Sequence, residues 1–513
     1  MSRSIRTRIN LALALIFSLA AFAGSLRVSA HIYEGIPHLE DEIAYWWQAQ
    51  VAARGQLTVP SPPEHKSFLV PFVVDYHGRR FAKYPLGWPV VLGLAMLAGK
   101  PALANALLAA LAVWLTFRLG ERLWRAEVGL LAAGLTVTSP FFWLNSGSLL
   151  SHPLGLALSA AFALLWLDTT GDKPIPRALP ILAGATLGAL ALTRPWTAVA
   201  VAFPFALHGL WILWRGAPIH RKRALTVAVT AAAIGSLHFV WQWAVTGNPL
   251  MNPYTLWWPY DKIGFGKGHG VTPQGHNWHL AVLNTKISLR AGYSDLFGWG
   301  RYSWIFIPFG LIAAARKPRS WPVLGVVFSL IAFYMAYWVG AWLYGPRYYY
   351  EGLYSLALLT ALGVFWLAGA PLEVGVKLWE NWVPSRLRFW RAAAVAGLLA
   401  LLVVANLKWY LPTRLNSMRG LYGISREQIK PFTLPEVQAL APAVVFVHPK
   451  RWTEYGGLLV LEDPWLTTPF IFVWSRGPRS DAHIRAAFPN RTPIVYFPEH
   501  PYEFIVLKPS NGR

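Results

Sequence analysis

Three consecutive carboxylates, Glu40-Asp41-Glu42, stand beside aromatic residues shortly after an apolar N-terminal segment. Carboxylates this close repel one another, and burial against aromatic rings would raise the pKa of at least one of them. Carboxylates with perturbed pKa values act as acids and bases in active sites. A solvated acidic first turn of a helix would show the same three residues. The rest of the chain has to decide between these two interpretations.

Two cations beside aromatic residues are candidates for binding an anion: Lys83, which precedes Tyr84, and Arg347, which precedes Tyr348. The planar guanidinium of Arg347 could bind two phosphate oxygens. Its alternative interpretation is an arginine that reaches the membrane interface within an aromatic belt. His276 is a further candidate, because the glycine-rich stretch before it would let backbone amides approach an anion.

Oxygen and imidazole groups that could bind a divalent metal ion also cluster near the acids. They are His38, Asp41 and Glu42, with His31 and Glu34 just before them. Their spacing is not diagnostic of a metal site, so no cofactor is expected to be required and a divalent ion is the alternative. The chain has no cysteine, which excludes disulfides, thiolate nucleophiles and thiolate metal sites.

Some charged residues have a sufficient structural explanation. Asp168 and Arg194 stand at the ends of apolar runs, and Pro195 follows Arg194, so helix termination explains both positions. His152 is predicted to be external and could lie in the substrate region, but an ordinary capping or interface histidine is the favoured interpretation. We therefore expect Asp168 and Arg194 to be structural and favour the same for His152.

The composition indicates the class of protein. With 55% hydrophobic and 13% charged residues, the 513-residue chain lies outside the range of soluble domains and is expected to be a polytopic membrane protein. A net charge of +23 and 28 tryptophans fit basic cytoplasmic loops and aromatic belts. The basic residues form short clusters without a continuous basic face, which argues against a nucleic-acid partner.

About eleven apolar runs predict transmembrane helices. They are residues 9–28, 102–119, 128–144, 149–167, 178–193, 196–214, 224–245, 302–315, 321–338, 353–370 and 392–407. The basic clusters between them fall on the side of the N-terminus: Arg118, Arg122, Arg125, Lys173, Arg177, Arg215, Arg221, Lys222, Arg223, Arg316, Lys317, Arg319, Lys377, Arg386, Arg388 and Arg391. This bias predicts a cytoplasmic N-terminus and an external C-terminus. Val28-Ser29-Ala30 leaves open a cleaved signal peptide instead of a first span.

The predicted fold class is an all-α polytopic membrane protein with a small C-terminal α/β domain outside the cytoplasm. Residues 1–410 form the transmembrane domain, which includes two external loops, 31–101 with the acidic cluster and 246–301. Residues 411–513 carry short β-prone runs, among them 458–461, and form the α/β domain. The protein is expected in the cell membrane, in contact with membrane lipids.

Several short motifs resemble those of GT-C-type glycosyltransferases, and more narrowly the bacterial members related to protein O-mannosyltransferases and to the aminoarabinose transferase that acts on lipid A. In the first external loop they are Asp41-Glu42-Ile43-Ala44-Tyr45, Ala53-Arg54-Gly55-Gln56-Leu57 and Lys83-Tyr84-Pro85-Leu86-Gly87-Trp88-Pro89, and a later one is Gly345-Pro346-Arg347-Tyr348 with Glu351. Leu86 departs from the pattern, since these proteins often have a second proline there. The resemblance covers roughly residues 9–410.

The resemblance implies transfer of a sugar from a polyprenyl-phosphate carrier to a glycan, lipid or protein acceptor on the extracytoplasmic side. It places the catalytic acid at Asp41, with Glu42 adjacent. An acceptor hydroxyl needs a base, and a departing lipid phosphate needs cations more than it needs a general acid. We therefore expect Asp41 to be the base and Glu42 a second carboxylate that orients the acceptor. The predicted substrate-binding residues are Lys83, Tyr84, His276, Arg347, Tyr348 and Glu351.

Two other classes of protein remain as alternatives. A flippase or transporter of lipid-linked glycans would carry ionisable residues or broken helices near the bilayer midplane, whereas the apolar runs here are mostly uninterrupted. A non-enzymatic membrane scaffold would use the C-terminal domain to bind partners.

Overall fold

The computed structural model describes residues 3–372 and 385–507 of the chain. Lys377, one of the basic residues behind the predicted orientation, lies outside the described residues. Most of the described chain is helical, as the apolar runs predict. The helices up to residue 416 are α1 (Arg3–His31), α2 (Glu40–Ala53), α3 (Gly87–Leu97), α4 (Ala102–Leu123), α5 (Ala126–Thr138), α6 (Pro140–Ser146), α7 (His152–Thr169), α8 (Ala178–Thr193), α9 (Pro195–Arg215), α10 (Pro218–Gly235), α11 (Leu237–Thr246), α12 (Tyr254–Trp257), α13 (Trp278–Asp295), α14 (Ile307–Ala314), α15 (Trp321–Tyr334), α16 (Leu353–Ala368), α17 (Ser385–Ala405) and α18 (Leu411–Asn416).

Seven described helical segments are long and apolar enough to cross a membrane. They are Ile5–His31, Ala102–Leu123, His152–Thr169, Pro195–Arg215, Pro218–Thr246, Arg347–Ala368 and Arg386–Thr433. The bent pair α5 and α6, which meet at 64°, makes an eighth if it is one span. The count of about eleven is not confirmed, because α8, α14 and α15 have 16, 8 and 14 residues, fewer than the ~20 that a span usually needs. The predicted fold class itself, a helical membrane domain with a small sheet domain, is confirmed.

The loop of residues 31–101 folds around α2. It carries a three-stranded antiparallel sheet of β1 (Val59–Pro60), β2 (Val73–Tyr76) and β3 (Arg79–Ala82) in the order β1-β3-β2. The acidic cluster forms the first turn of α2, and α3 lies against this helix so closely that a Cβ on Gly93 would stand 2.6 Å from the Ala49 carbonyl oxygen. This contact fixes α2 against α3 within the loop.

The C-terminal region contains a four-stranded mixed sheet. Its strands are β4 (Ala443–Val447), β5 (Phe470–Trp474), β6 (Thr492–Tyr496) and β7 (Phe504–Val506), and its helices are α19 (Pro435–Gln438), α20 (Trp452–Gly456) and α21 (Pro478–Ala487). The order is β5-β4-β6-β7, with β7 antiparallel to its neighbour. The strand predicted at residues 458–461 is wrong. This stretch is a 3₁₀ helix, Gly457–Leu461, packed against α2. A short run that is apolar throughout cannot be assigned to a strand or to a buried helical segment by periodicity alone.

The C-terminal region rests on the loop of residues 31–101 through side-chain contacts. The Arg54 guanidinium stacks 3.6 Å from the centre of the Trp465 ring, and His483 Nδ1 lies 3.0 Å from Glu64 Oε1. The backbone N–H of Arg426 donates a 2.6 Å hydrogen bond to Glu34 Oε2. The sheet domain is thereby held close to the acidic cluster, while its boundary at residue 411 stays a prediction.

A buried carboxylate in this region predicts a pH-dependent stability. Burial raises the pKa of Glu462 to about 8, against the opposing hydrogen bond from the Phe472 N–H. At pH values between the ordinary pKa of a glutamate and about 8, Glu462 of the folded protein holds a proton that the unfolded chain has lost. The free energy of unfolding therefore falls as pH rises across that window, by about 1.4 kcal/mol per pH unit. Melting temperatures of the purified chain between pH 5 and pH 8 should show this decline for wild type and a flatter profile for Glu462→Gln.

The matched control for this measurement is Glu436→Gln, which removes an exposed carboxylate from the same region. We expect this variant to keep the wild-type slope. Parallel slopes for Glu462→Gln and wild type would contradict the prediction.

Candidate active site

A cavity of about 530 Å³ opens between the loop of residues 31–101, the segment that follows α11, and the start of α9. Five of the sequence-predicted residues line it: Asp41, Lys83, Tyr84, Arg347 and Tyr348. Its other ionisable or polar lining residues include Glu40, His152, Arg194, Tyr254, Asp261 and Tyr422. The cavity thus collects both carboxylates and cations beside a wall of aromatic rings.

Asp41 reaches the cavity from the first turn of α2. Its Oδ1 accepts a 2.8 Å hydrogen bond from the Tyr84 hydroxyl, and its Oδ2 lies 3.6 Å from Arg347 Nη2. Burial by itself would raise the pKa of Asp41, but the Arg347 charge, the Tyr84 hydrogen bond and the Lys83 charge outweigh it and lower the pKa. Asp41 is therefore an ionised carboxylate at neutral pH, able to accept a hydrogen bond from a hydroxyl group.

The neighbouring carboxylates differ from Asp41 in environment. Burial raises the pKa of Glu40, which also lines the cavity, and that of Glu42, which does not. Neighbouring carboxyl groups with pKa values moved in opposite directions are the pattern by which one site holds an ionised base beside protonatable acids. The structure thus singles out Asp41 as the member of the cluster whose pKa is lowered.

Arg347 begins a 3₁₀ helix, Arg347–Gly352, directly before α16. The chain enters this turn through Gly345, whose φ of +70° is a conformation that favours glycine. Arg347 Nη2 lies near Asp41. The other terminal nitrogen of Arg347, Nη1, is buried and has no hydrogen-bond partner among the described residues. A buried unpaired donor is costly unless a ligand satisfies it. This guanidinium is therefore suited to an anionic oxygen that enters the cavity.

Lys83 is a buried cation in the cavity wall. Its Nζ donates a 3.1 Å hydrogen bond to Asp261 Oδ2, and it lies 3.7 Å, 4.8 Å and 5.0 Å from the ring centres of Phe72, Trp258 and Tyr254. Burial lowers the pKa of Lys83, and the charge of Asp261 opposes that shift. Asp261 was missed in the sequence because nothing in its neighbourhood forms a motif.

Glu351 lies behind the cavity wall and is fully buried. Its Oε1 forms an ion pair with Arg194, 2.9 Å from Arg194 Nε, and His152 Nδ1 lies 3.1 Å from the same oxygen. Arg194 also donates to the Tyr334 hydroxyl at 3.2 Å and lines the cavity. The interpretation of Arg194 and His152 as only a helix end and an interface residue is therefore incomplete. The available signal was a charged side chain between two apolar helices, which by itself indicates a functional position.

Glu42 points away from the cavity. Its Oε2 accepts from the backbone N–H groups of His38 at 2.8 Å and Leu39 at 3.2 Å, and its Oε1 accepts from Leu149 N–H at 2.8 Å. It therefore caps the start of α2, and its placement does not support the role of a second carboxylate that orients the acceptor. Successive residues on a helix point about 100° apart, so the three acids cannot all face one cavity.

His276 also lies outside the cavity lining. Its Nε2 is 2.8 Å from the Met335 carbonyl oxygen, and its ring stacks on Phe265 with 5.1 Å between ring centres. These contacts fasten the glycine-rich stretch to the segment after α15. The position does not support a role in substrate binding.

The candidate metal ligands are not assembled. Among residues 3–372 and 385–507, no three His, Asp or Glu side chains lie together as a group that could hold a metal ion. Asp41 faces Arg347 and Tyr84, whereas Glu42 is occupied by backbone amides and His38 Nδ1 lies 3.0 Å from the Ile36 carbonyl oxygen. The structure therefore does not bring His38, Asp41 and Glu42 together as ligands of one divalent ion.

Comparison with solved structures identifies the fold. No protein-family model and no curated protein sequence matches the chain. ArnT from Cupriavidus metallidurans bound to undecaprenyl phosphate is 14% identical, with a TM-score of 0.54 over 96% of this chain and 93% of that one. The apo state of that ArnT is 16% identical, with a TM-score of 0.53 over 96% of this chain and 89% of that one. The oligosaccharyltransferase AglB from Archaeoglobus fulgidus, in complex with an inhibitory peptide and a dolichol-phosphate, is 13% identical, with a TM-score of 0.54 over 96% of this chain and 69% of that one. The chain is an integral membrane protein with the GT-C fold, as the motifs predicted.

Proposed function

We propose that this GT-C-fold protein is a membrane glycosyltransferase that moves a sugar from a polyprenyl-phosphate-linked donor to an acceptor hydroxyl on the extracytoplasmic face. The observation that carries the proposal is an ionised Asp41 placed 3.6 Å from Arg347, whose Nη1 lacks a protein partner, in one cavity. Structures with the same fold contain undecaprenyl phosphate or dolichol-phosphate. The acceptor is a glycan, lipid or protein.

The reaction needs a base for the acceptor hydroxyl and cations for the departing phosphate. Asp41 accepts the proton of the acceptor hydroxyl while that oxygen forms its bond to the anomeric carbon. The bond between the anomeric carbon and the phosphate oxygen breaks with its electron pair, and the configuration inverts. The lipid phosphate leaves as an anion, so Arg347 and Lys83 stabilise it by charge and no general acid is required.

Donor binding would also tune the base. In the free enzyme the Arg347 charge lowers the pKa of Asp41, which makes the carboxylate ionised but a weak base. A phosphate bound to Arg347 places negative charge beside Asp41, and negative charge raises the pKa of a carboxyl group. Asp41 would therefore become a stronger base once the donor is in place.

The proposed orientation has the N-terminus in the cytoplasm, which puts the cavity and the C-terminal sheet domain on the outer face. The first loop carries both Asp41 and Lys83, and the C-terminal region supplies Tyr422 to the cavity lining. Donors made at the membrane as polyprenyl-phosphate sugars, whether hexose or pentose, would reach this cavity laterally from the bilayer.

Donor consumption tests the proposal. The full-length chain in lipid nanodiscs is incubated with radiolabelled undecaprenyl-phosphate sugars and an extract of cell-envelope acceptors. We expect release of undecaprenyl phosphate together with label in an acceptor fraction. Binding of the donor without any release, over hours and across a panel of sugars, would instead indicate a transporter or a scaffold.

A further inference from the structure

We propose that Asp261 is a positioning residue for Lys83, fixing the ammonium group in the cavity wall where it faces the phosphate of the donor. The inference rests on the proposed function and adds a residue to it. Asp261 would not touch the reacting atoms. It would act through the lysine.

The contacts of Asp261 join three segments that are distant in the chain. Its Oδ2 accepts from Lys83 Nζ at 3.1 Å, while its Oδ1 accepts from the Tyr337 hydroxyl at 2.9 Å and from Trp338 Nε1 at 3.0 Å. The carboxylate is only 3% exposed, so these bonds are made away from bulk water. Such a fully satisfied buried carboxylate has a defined position, and it defines the position of the ammonium that it binds.

The surroundings of Lys83 explain why the ammonium needs this partner. Rings of Phe72, Trp258 and Tyr254 surround it at 3.7 to 5.0 Å. Aromatic faces attract a cation, but they replace its hydration shell only in part. A buried lysine without a counter-charge tends to lose its proton. Asp261 stabilises the charge of Lys83 at a buried position, where water cannot do so.

The carboxylates whose charge acts on Lys83 are Asp261, Asp41 and Glu40, and the nearby hydroxyls belong to Tyr84 and Tyr254. Asp261 is the one in direct contact, and Asp41 is engaged by Arg347. An ammonium has three N–H donors and only one is needed for Asp261. Lys83 can therefore remain bonded to Asp261 and still donate to a phosphate oxygen in the cavity.

A purely structural role for Asp261 is the rival explanation, and pH separates the two. Undecaprenyl phosphate binding to the full-length chain in nanodiscs is measured at pH 7 and pH 9. We expect Asp261→Asn to lower the ratio of affinity at pH 9 to affinity at pH 7 on the order of tenfold relative to wild type, because the unpaired ammonium deprotonates more readily. Tyr337→Phe removes a hydrogen bond from the same carboxylate without removing its charge, so this control should keep the wild-type ratio.

A rescue variant sharpens the result. In Asp261→Asn/Lys83→Arg the guanidinium stays charged at both pH values, so the affinity lost at pH 9 should return. Equal losses at both pH values in Asp261→Asn, with no rescue by arginine, would show that Asp261 serves the fold alone and would overturn the proposal.

The ionisation of Lys83 can also be measured without the donor, by mass spectrometry after labelling with a small amine reagent across pH. Lys83 should be labelled at lower pH in Asp261→Asn than in wild type, and identical labelling profiles would overturn the proposal. Absence of undecaprenyl phosphate binding in wild type would count against the proposed function, whereas this labelling would still decide whether Asp261 controls the lysine.

Folding of the variants is checked by size-exclusion chromatography. If Asp261→Asn is not recovered, Lys83→Met/Asp261→Asn removes both charges together and so avoids an unpaired buried ammonium. Recovery of this double variant would support the charge pairing. Loss of both variants would show that Asp261 is needed for its bonds to Tyr337 and Trp338, and would overturn the proposal.

Discussion

Replacing Asp41 by asparagine is expected to reduce sugar transfer by about 10²–10⁴-fold, the usual contribution of a general base. Donor binding should persist or become tighter, because the variant removes a carboxylate that competes with phosphate for Arg347, 3.6 Å away. The measurement compares single-turnover transfer with undecaprenyl phosphate affinity for the same preparation. A loss of chemistry without a loss of binding distinguishes a base from a residue that only shapes the cavity.

The matched control is Glu40→Gln, the adjacent residue of the same helix turn and also part of the cavity lining. Burial raises the pKa of Glu40, so this carboxyl is less suited to act as an ionised base. Its replacement should change transfer by less than about tenfold. Wild-type turnover in Asp41→Asn together with inactivity of Glu40→Gln would reassign the base to Glu40.

Replacing Arg347 by alanine should weaken binding of the donor phosphate. The variant removes the cation with an unpaired buried Nη1, so affinity for undecaprenyl phosphate should fall on the order of 100-fold. Arg347→Lys should recover only part of that loss, because an ammonium cannot reproduce the two-pronged geometry of a guanidinium. The measurement is the donor dissociation constant at fixed ionic strength.

The same variant should change the pH dependence of transfer. The Arg347 charge is the largest influence that lowers the pKa of Asp41, so its removal raises that pKa. Activity requires the ionised carboxylate, and the acidic limb of the pH–rate profile should therefore move to higher pH in Arg347→Ala. Arg54→Ala is the control, since Arg54 also stacks on an aromatic ring but lies outside the cavity lining. Unchanged donor affinity in Arg347→Ala would remove this residue from the phosphate site.

The acidic cluster shows how far reasoning from local sequence reaches. The structure gives the residues of Glu40-Asp41-Glu42 different places: Glu42 is buried and caps the helix, and Asp41 faces the cavity. These places depend on the direction of each side chain relative to Leu149 and Arg347, which are distant in the chain. Three adjacent carboxylates look alike in a sequence, and only packing gives each a different environment.

The span count of about eleven is not confirmed for a similar reason. Helices α14 and α15 are shorter than the apolar runs 302–315 and 321–338, and α8 fills its run, 178–193, but has only 16 residues. Their ends depend on local breaks: the extended backbone of Arg194 before Pro195 ends α8, and a 3₁₀ turn, Gly300–Trp304, precedes α14. Hydropathy records that a run is apolar but does not record where a helix stops inside it.

Composition and hydrophobic runs were sufficient to predict the membrane class, since these signals are written in neighbouring residues. The resemblance of short ordered motifs predicted the GT-C fold and pointed to Asp41, Lys83 and Arg347, which line one cavity. Only the tertiary structure revealed that Lys83 is held by Asp261, 178 positions along the chain. It also revealed that Arg194, which lines the cavity, forms an ion pair with Glu351. A pairing between distant residues leaves no periodicity or spacing in a single sequence. It arises from the way the helices pack, where burial forces each charge to find a partner.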